Sequence, residues 1–105
     1  MKYIMKVRMA SGEAGNKLLM DPQFGKKMQD LLKEIKAEAA YFTTVCGNRG
    51  GYIIVNMDDA SQIPAIAEPV FMWLKAEIEF YPVMTPEDLG KAGPAIEAAN
   101  KKWGG

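Results

Sequence analysis

Residues Lys2-Tyr3-Ile4-Met5-Lys6-Val7-Arg8-Met9 decide the fold. Their alternation puts Tyr3, Met5, Val7 and Met9 on one face of a strand and Lys2, Ile4, Lys6 and Arg8 on the other. Far along the chain, Glu77 to Val83 alternates in the same way, with Ile78 and Phe80 on one side and Glu79 and Tyr81 on the other. Laid side by side, the two segments bring Lys6 and Arg8 against Glu77 and Glu79. Opposite charges on neighbouring strands are favourable, so local pattern and pairing agree.

Between these strands the sequence alternates element types. Ser11 to Met20, carrying Gly12 and Gly15, reads as an irregular connector or a single helical turn. Asp21-Pro22 reads as a helix start, an Asp cap followed by Pro at the first helical position. Phe24, Met28, Leu31 and Ile35 then recur at helical spacing, opposite Lys26, Lys27, Asp30, Lys33 and Glu34. Ala40 to Cys46 and Tyr52 to Met57 are rich in strand formers and are joined by Gly47-Asn48-Arg49-Gly50-Gly51, which predicts a hairpin. Its register stays open, since one residue in the loop decides whether Tyr41, Thr43 and Val45 or Phe42, Thr44 and Cys46 face the core.

Asp58, Asp59 and Ser61 compete to cap a second helix. Pro64 favours a start at Ser61, and Pro69 is expected to kink or end it. Thr85-Pro86-Glu87-Asp88 opens a short helix with a capping-box pattern. Gly93-Pro94 interrupts it, and Ile96, Ala99 and Trp103 follow along one side of a turn-rich tail.

Strand, helix, strand, strand, helix, strand and a helical tail, joined by right-handed crossovers, give an α+β chain with a ferredoxin-like βαββαβ layout and strand order 4-1-3-2. Residues 1–105 are read as one domain of that kind.

Composition removes whole classes of chemistry. The chain has no histidine and one cysteine, so His-dependent triads, His-ligated haem and the usual zinc sets are out of reach. No metal and no cofactor is expected. Any acid or base must be a carboxylate, a lysine, a tyrosine or Cys46, and no basic cluster is evident to activate that thiol. Thirteen Lys and Arg balance thirteen Asp and Glu, which argues against a nucleic-acid partner and a polybasic membrane-surface role. Lys2, Lys6 and Arg8 interrupt any leader-like apolar core, and a lone cysteine suits a reducing compartment, so a cytoplasmic location is expected.

Three stretches carry a family likeness: Glu13-Ala14-Gly15-Asn16, Gly51 through Pro69, and Glu79 through Asp88. In them the chain resembles small bacterial proteins of the dimeric α+β-barrel superfamily, most of unknown function. The resemblance implies a homodimer with two sheets face to face and a pocket between each sheet and its own helices. Characterised members of that superfamily include cofactor-independent monooxygenases, lactone isomerases, haem-degrading enzymes and peroxidases, and the resemblance alone does not choose among them. If the chain is an enzyme, metal-free isomerase or cofactor-independent monooxygenase chemistry on a small apolar or aromatic molecule is expected. Several branches use a histidine in that pocket, which this sequence lacks. The alternative is a non-catalytic binding or assembly protein that uses its sheet face for oligomerisation.

Candidate ligand-binding residues follow from polar groups placed near an apolar face. Arg8 pairs with Glu77 or Glu79, or clamps a carboxylate through its planar fork. Asn56 sits in an otherwise apolar strand, where it marks the strand end, hydrogen-bonds across a dimer interface or orients an oxyanion. Asn16, Tyr41, Thr43, Trp73 and Tyr81 are expected at the pocket rim. Eight methionines suit either an adaptable core or an adaptable cavity.

Overall fold

The computed structural model describes residues 1–105. It has strands β1 (Lys2–Arg8), β2 (Ala39–Val45), β3 (Asn48–Asn56) and β4 (Glu77–Pro82). Helices α1 (Gly12–Met20) and α2 (Phe24–Glu34) follow β1, α3 (Ile63–Leu74) follows β3, and α4 (Pro86–Lys91) and α5 (Gly93–Trp103) form the tail. All strand pairs are antiparallel, in the order β2-β3-β1-β4, which is the expected 4-1-3-2 layout.

β1 reads as its alternation predicts. Met5, Val7 and Met9 are buried beside Ile53, Val55 and Met57 of β3 and its end, beneath Met28, Leu31 and Ile35 of the α2 segment and Ile66, Val70 and Leu74 of α3. Tyr3, Ile78 and Phe80 pack against this core. The opposite face carries no helix. There Lys6 stands opposite Glu79 and Arg8 opposite Glu77, with an N–O distance of 3.4 Å in each pair.

The hairpin corrects the expected loop. Cys46-Gly47 alone makes the turn, with Val45 paired to Asn48, and both turn residues have positive φ, 49° and 79°. Two consecutive positive φ values mark the tight turn whose twist matches its flanking strands. Arg49, Gly50 and Gly51 therefore belong to β3. The register turns Phe42 and Thr44 to the helix side with Ile53, and Tyr41, Thr43 and Val45 to the open side with Tyr52. Gly50 and Gly51 make room on opposite faces, since a β-carbon would stand 2.8 Å from Val45 Cγ2 at Gly50 and 3.3 Å from Phe42 Cδ1 at Gly51.

Ser11 to Met20 contains a nine-residue helix rather than a connector. Its two glycines weigh against a helix by propensity. Gly15 is nevertheless buried, and any β-carbon there would run into the Ala10 carbonyl, so the close approach of α1 to the link that precedes it selects glycine. Asp21 caps a turn by accepting from the Gln23 N–H at 2.9 Å, and α2 begins only at Phe24.

The second helix also differs from expectation. Asp59 wins the cap, in a reciprocal box with Gln62, and a 3-10 turn over Ala60–Gln62 leads into α3. α3 then continues through Pro69 to Leu74. An interior proline costs about 3 kcal/mol. Full burial of Val70 and Leu74 returns roughly 1.5–3 kcal/mol each, enough to hold the segment helical against the sheet.

Candidate functional site

Between the β2–β3 hairpin and the helices α1 and α2 lies an apolar cleft of about 350 Å³. Met9, Leu19, Phe24, Met28 and Phe42 line it, and Thr43, Thr44, Arg49 and Gly50 complete its wall. A small recess shares Met9, Met28, Phe42 and Gly50 with it and reaches inward to Val7, Ile53 and Leu74. Each lining group has a local cause. The two-residue turn sets Phe42 on the helix side, where it stays 60% exposed at the cleft edge, Gly51 gives its ring space, and the period of α2 puts Phe24 and Met28 on one stripe.

Arg49 is the only charged residue in the lining. Its backbone carbonyl accepts from Met9 N–H at 2.9 Å, which anchors the hairpin to the end of β1. Its Nη1 lies 3.3 Å from where a β-carbon on Gly15 would stand, so the guanidinium rests against α1. No carboxylate of the chain pairs with it. An apolar cleft with one unpaired guanidinium suits a small apolar body bearing an anionic group, because the planar fork binds carboxylate in a bidentate manner. The lining holds no carboxylate, lysine or tyrosine to move a proton.

A larger cavity of about 470 Å³ lies outside α1, along Glu13, Lys17, Asp21 and Lys27 beside Trp73. Four of its five charges pair off, with Lys17 3.9 Å from Glu13 and Lys27 3.6 Å from Asp21, which leaves Lys75 as the one ammonium of the lining without a carboxylate partner.

The open sheet face holds a polar cluster. Tyr81 donates to Glu79, which also meets Lys6. The Tyr81 hydroxyl first and the Lys6 ammonium second hold the Glu79 carboxyl below its ordinary range. The bond to Glu79 raises both Lys6 and Tyr81. At the other end, Glu38 accepts from Lys2 at 2.6 Å and from Asn56 at 2.5 Å, and those two bonds lower it.

The seven candidate residues divide between the two sides of the sheet. Arg8, Tyr41, Asn56 and Tyr81 belong to the open face, where Arg8 pairs with Glu77 and Asn56 with Glu38. Thr43 shares that face and also edges the apolar cleft. Asn16 is exposed on α1. Trp73 packs on Phe24, ring centroids 5.2 Å apart, and so supports a cleft-lining residue from behind. Arg49 and Phe42 are the lining residues that sequence reasoning missed. Reading Cys46-Gly47 as a complete turn would have found both.

The layout defines a ferredoxin-like α+β protein with one bare sheet face and an apolar cleft under its hairpin. The chain belongs to the family described as Domain of unknown function (DUF3303), whose model matches residues 1–97. Comparison with curated proteins finds no match. No helix is long and apolar enough to cross a membrane.

Proposed function

We propose that this one-domain protein binds a small apolar or aromatic acid in the cleft under Phe42 and works as a cytoplasmic homodimer of the dimeric α+β-barrel kind. The observation that carries the reading is the unpaired Arg49 guanidinium in an otherwise uncharged lining. Self-association is favoured by the bare face, where Tyr41, Tyr52 and Tyr81 are 65%, 36% and 43% exposed beside Ile4 and Ile54. Balanced charge argues for a small-molecule partner over nucleic acid. Isomerisation or cofactor-independent oxygenation of the bound acid is the catalytic extension of this reading. It would draw any proton-transfer group from outside the cleft.

Thermal unfolding with a panel of aromatic carboxylates tests the binding. A ligand at a hundred times its dissociation constant adds about 2.7 kcal/mol, which in a domain of this size raises Tm on the order of 10 °C. A shift with the acids that is lost in Arg49→Ala supports the reading. No shift across the panel, or an equal shift in the variant, overturns it.

A second reading rests on the bare face alone: an assembly protein without a ligand. A sedimenting dimer that no acid stabilises would favour it.

A further inference from the structure

The chain is longer than its size explains. Its principal extents are 58 × 27 × 21 Å and its radius of gyration is 17.6 Å, against about 13 Å for a compact chain of this length. The excess belongs to α4 and α5, which contain no buried residue and run one into the other as an arm with little contact to the sheet or its helices. Helices of six and eleven residues are marginal in water unless a surface holds them.

The arm has the pattern for such a surface. Leu89, Ala92, Ile96, Ala99 and Trp103 follow one another at spacings of three and four, the narrow stripe that seats one helix against another. Gly93-Pro94 does not break the stripe: Ala92 N–H donates to Leu89 and Ile96 N–H donates to Ala92, each at 3.0 Å. Leu89, Ile96 and Trp103 are 51%, 57% and 77% exposed within one chain.

Charge selects the partner and its direction. Glu87 and Lys101 are paired within the arm, with Lys91 at 3.9 Å and Glu97 at 3.7 Å, which leaves Asp88 at its acidic end and Lys102 at its basic end. A second arm running antiparallel meets acidic turns with basic ones at both ends, whereas a parallel one sets like against like. We infer that the arms of two copies of this chain pair antiparallel along this stripe, with Ile96 near the two-fold axis and Leu89 facing Trp103 of the other copy.

Area limits what the pairing does. An arm of 18 residues is about 27 Å long, so two paired faces bury on the order of 500 Å². That is about half of what a stable interface needs. The arms are a clasp on copies already joined elsewhere, so the inference rests on the self-association proposed above.

Cysteine crosslinking in the full chain tests it, in a Cys46→Ser background. Ile96→Cys should oxidise to a covalent dimer at micromolar concentration, while Ala98→Cys, on the opposite side of the same turn, should not. In sedimentation equilibrium Ile96→Asp should weaken self-association about tenfold. A dimer in which neither cysteine crosslinks, or both do equally, and in which Ile96→Asp changes nothing, overturns arm pairing and leaves the homodimer standing. A wild-type chain that sediments as a monomer overturns both.

Discussion

Phe42 lies across the β2–β3 pair from Gly51, and a β-carbon on Gly51 would stand 3.3 Å from Phe42 Cδ1 and still closer to the Tyr41 carbonyl. The ring that walls the cleft is therefore seated by the absence of a side chain. Gly51→Val should cost about 1–3 kcal/mol in urea unfolding, the range for overpacking. It should also abolish ligand-induced stabilisation by displacing Phe42. Gly25 provides the contrast, because nothing stands within 4 Å of a β-carbon there and the site is helical. Gly25→Ala should stabilise the chain by about 0.5–1 kcal/mol.

Arg49 has no internal partner, so its removal should leave stability within about 0.5 kcal/mol. Its loss should be felt by the ligand, since a hydrogen bond to a charged group is worth roughly 1.5–3 kcal/mol. Calorimetric titration of Arg49→Ala should show aromatic carboxylates binding roughly tenfold to hundredfold more weakly. The matching neutral amides should bind the variant and the wild type alike. An equal loss for both would assign Arg49 a role in shaping the cleft instead.

The Lys6–Glu79–Tyr81 cluster sets a pH window. Glu79 is lowered from 4.5 on folding, so its contribution is full above that value and fades as pH falls through the lower folded one. Tyr81 and Lys6 are raised from 10.0 and 10.5, so theirs are full below those values and fade as pH rises through the folded ones. Stability from this cluster should be flat between pH 4.5 and 10.0 and should fall on both sides. Tyr81→Phe removes the bond that lowers Glu79 most. The Glu79 carboxyl-carbon titration in NMR should then move up toward 4.5. An unmoved midpoint would show that Lys6 alone holds the carboxylate.

Met5 is fully buried at the centre of the core. Met5→Ala should cost about 2–5 kcal/mol, as large-to-small core changes do. Phe80 is only half-buried, edge-on to Tyr3 with centroids 6.2 Å apart, so Phe80→Ala should fall toward the lower end of the aromatic range, about 3 kcal/mol. A larger loss at Phe80 than at Met5 would mean that the β4 edge is covered in the assembled protein.

Strand phase was legible wherever one face is apolar and the other charged. Met5 and Ile53 point inward, and Lys6 meets Glu79, because both facts follow from a period of two. Where packing decides, local reading ran out. Gly15 lowers helix propensity but is required where α1 nears the Ala10 carbonyl. Pro69 breaks isolated helices, yet here the burial of Val70 and Leu74 outweighs it. The candidate site was legible in kind, as an apolar cavity on the helix side, but not in membership. A hairpin two residues long instead of five moved Arg49 into a strand and turned Tyr41 away from the cleft.

The outstretched tail affects how this molecule is weighed. A lone 11.6 kDa chain 58 Å from end to end tumbles inside a larger sphere than its mass implies. It will leave a gel-filtration column early, where a compact protein of greater mass would be expected. Elution volume alone therefore overstates the number of copies, and light scattering or sedimentation is needed to count them.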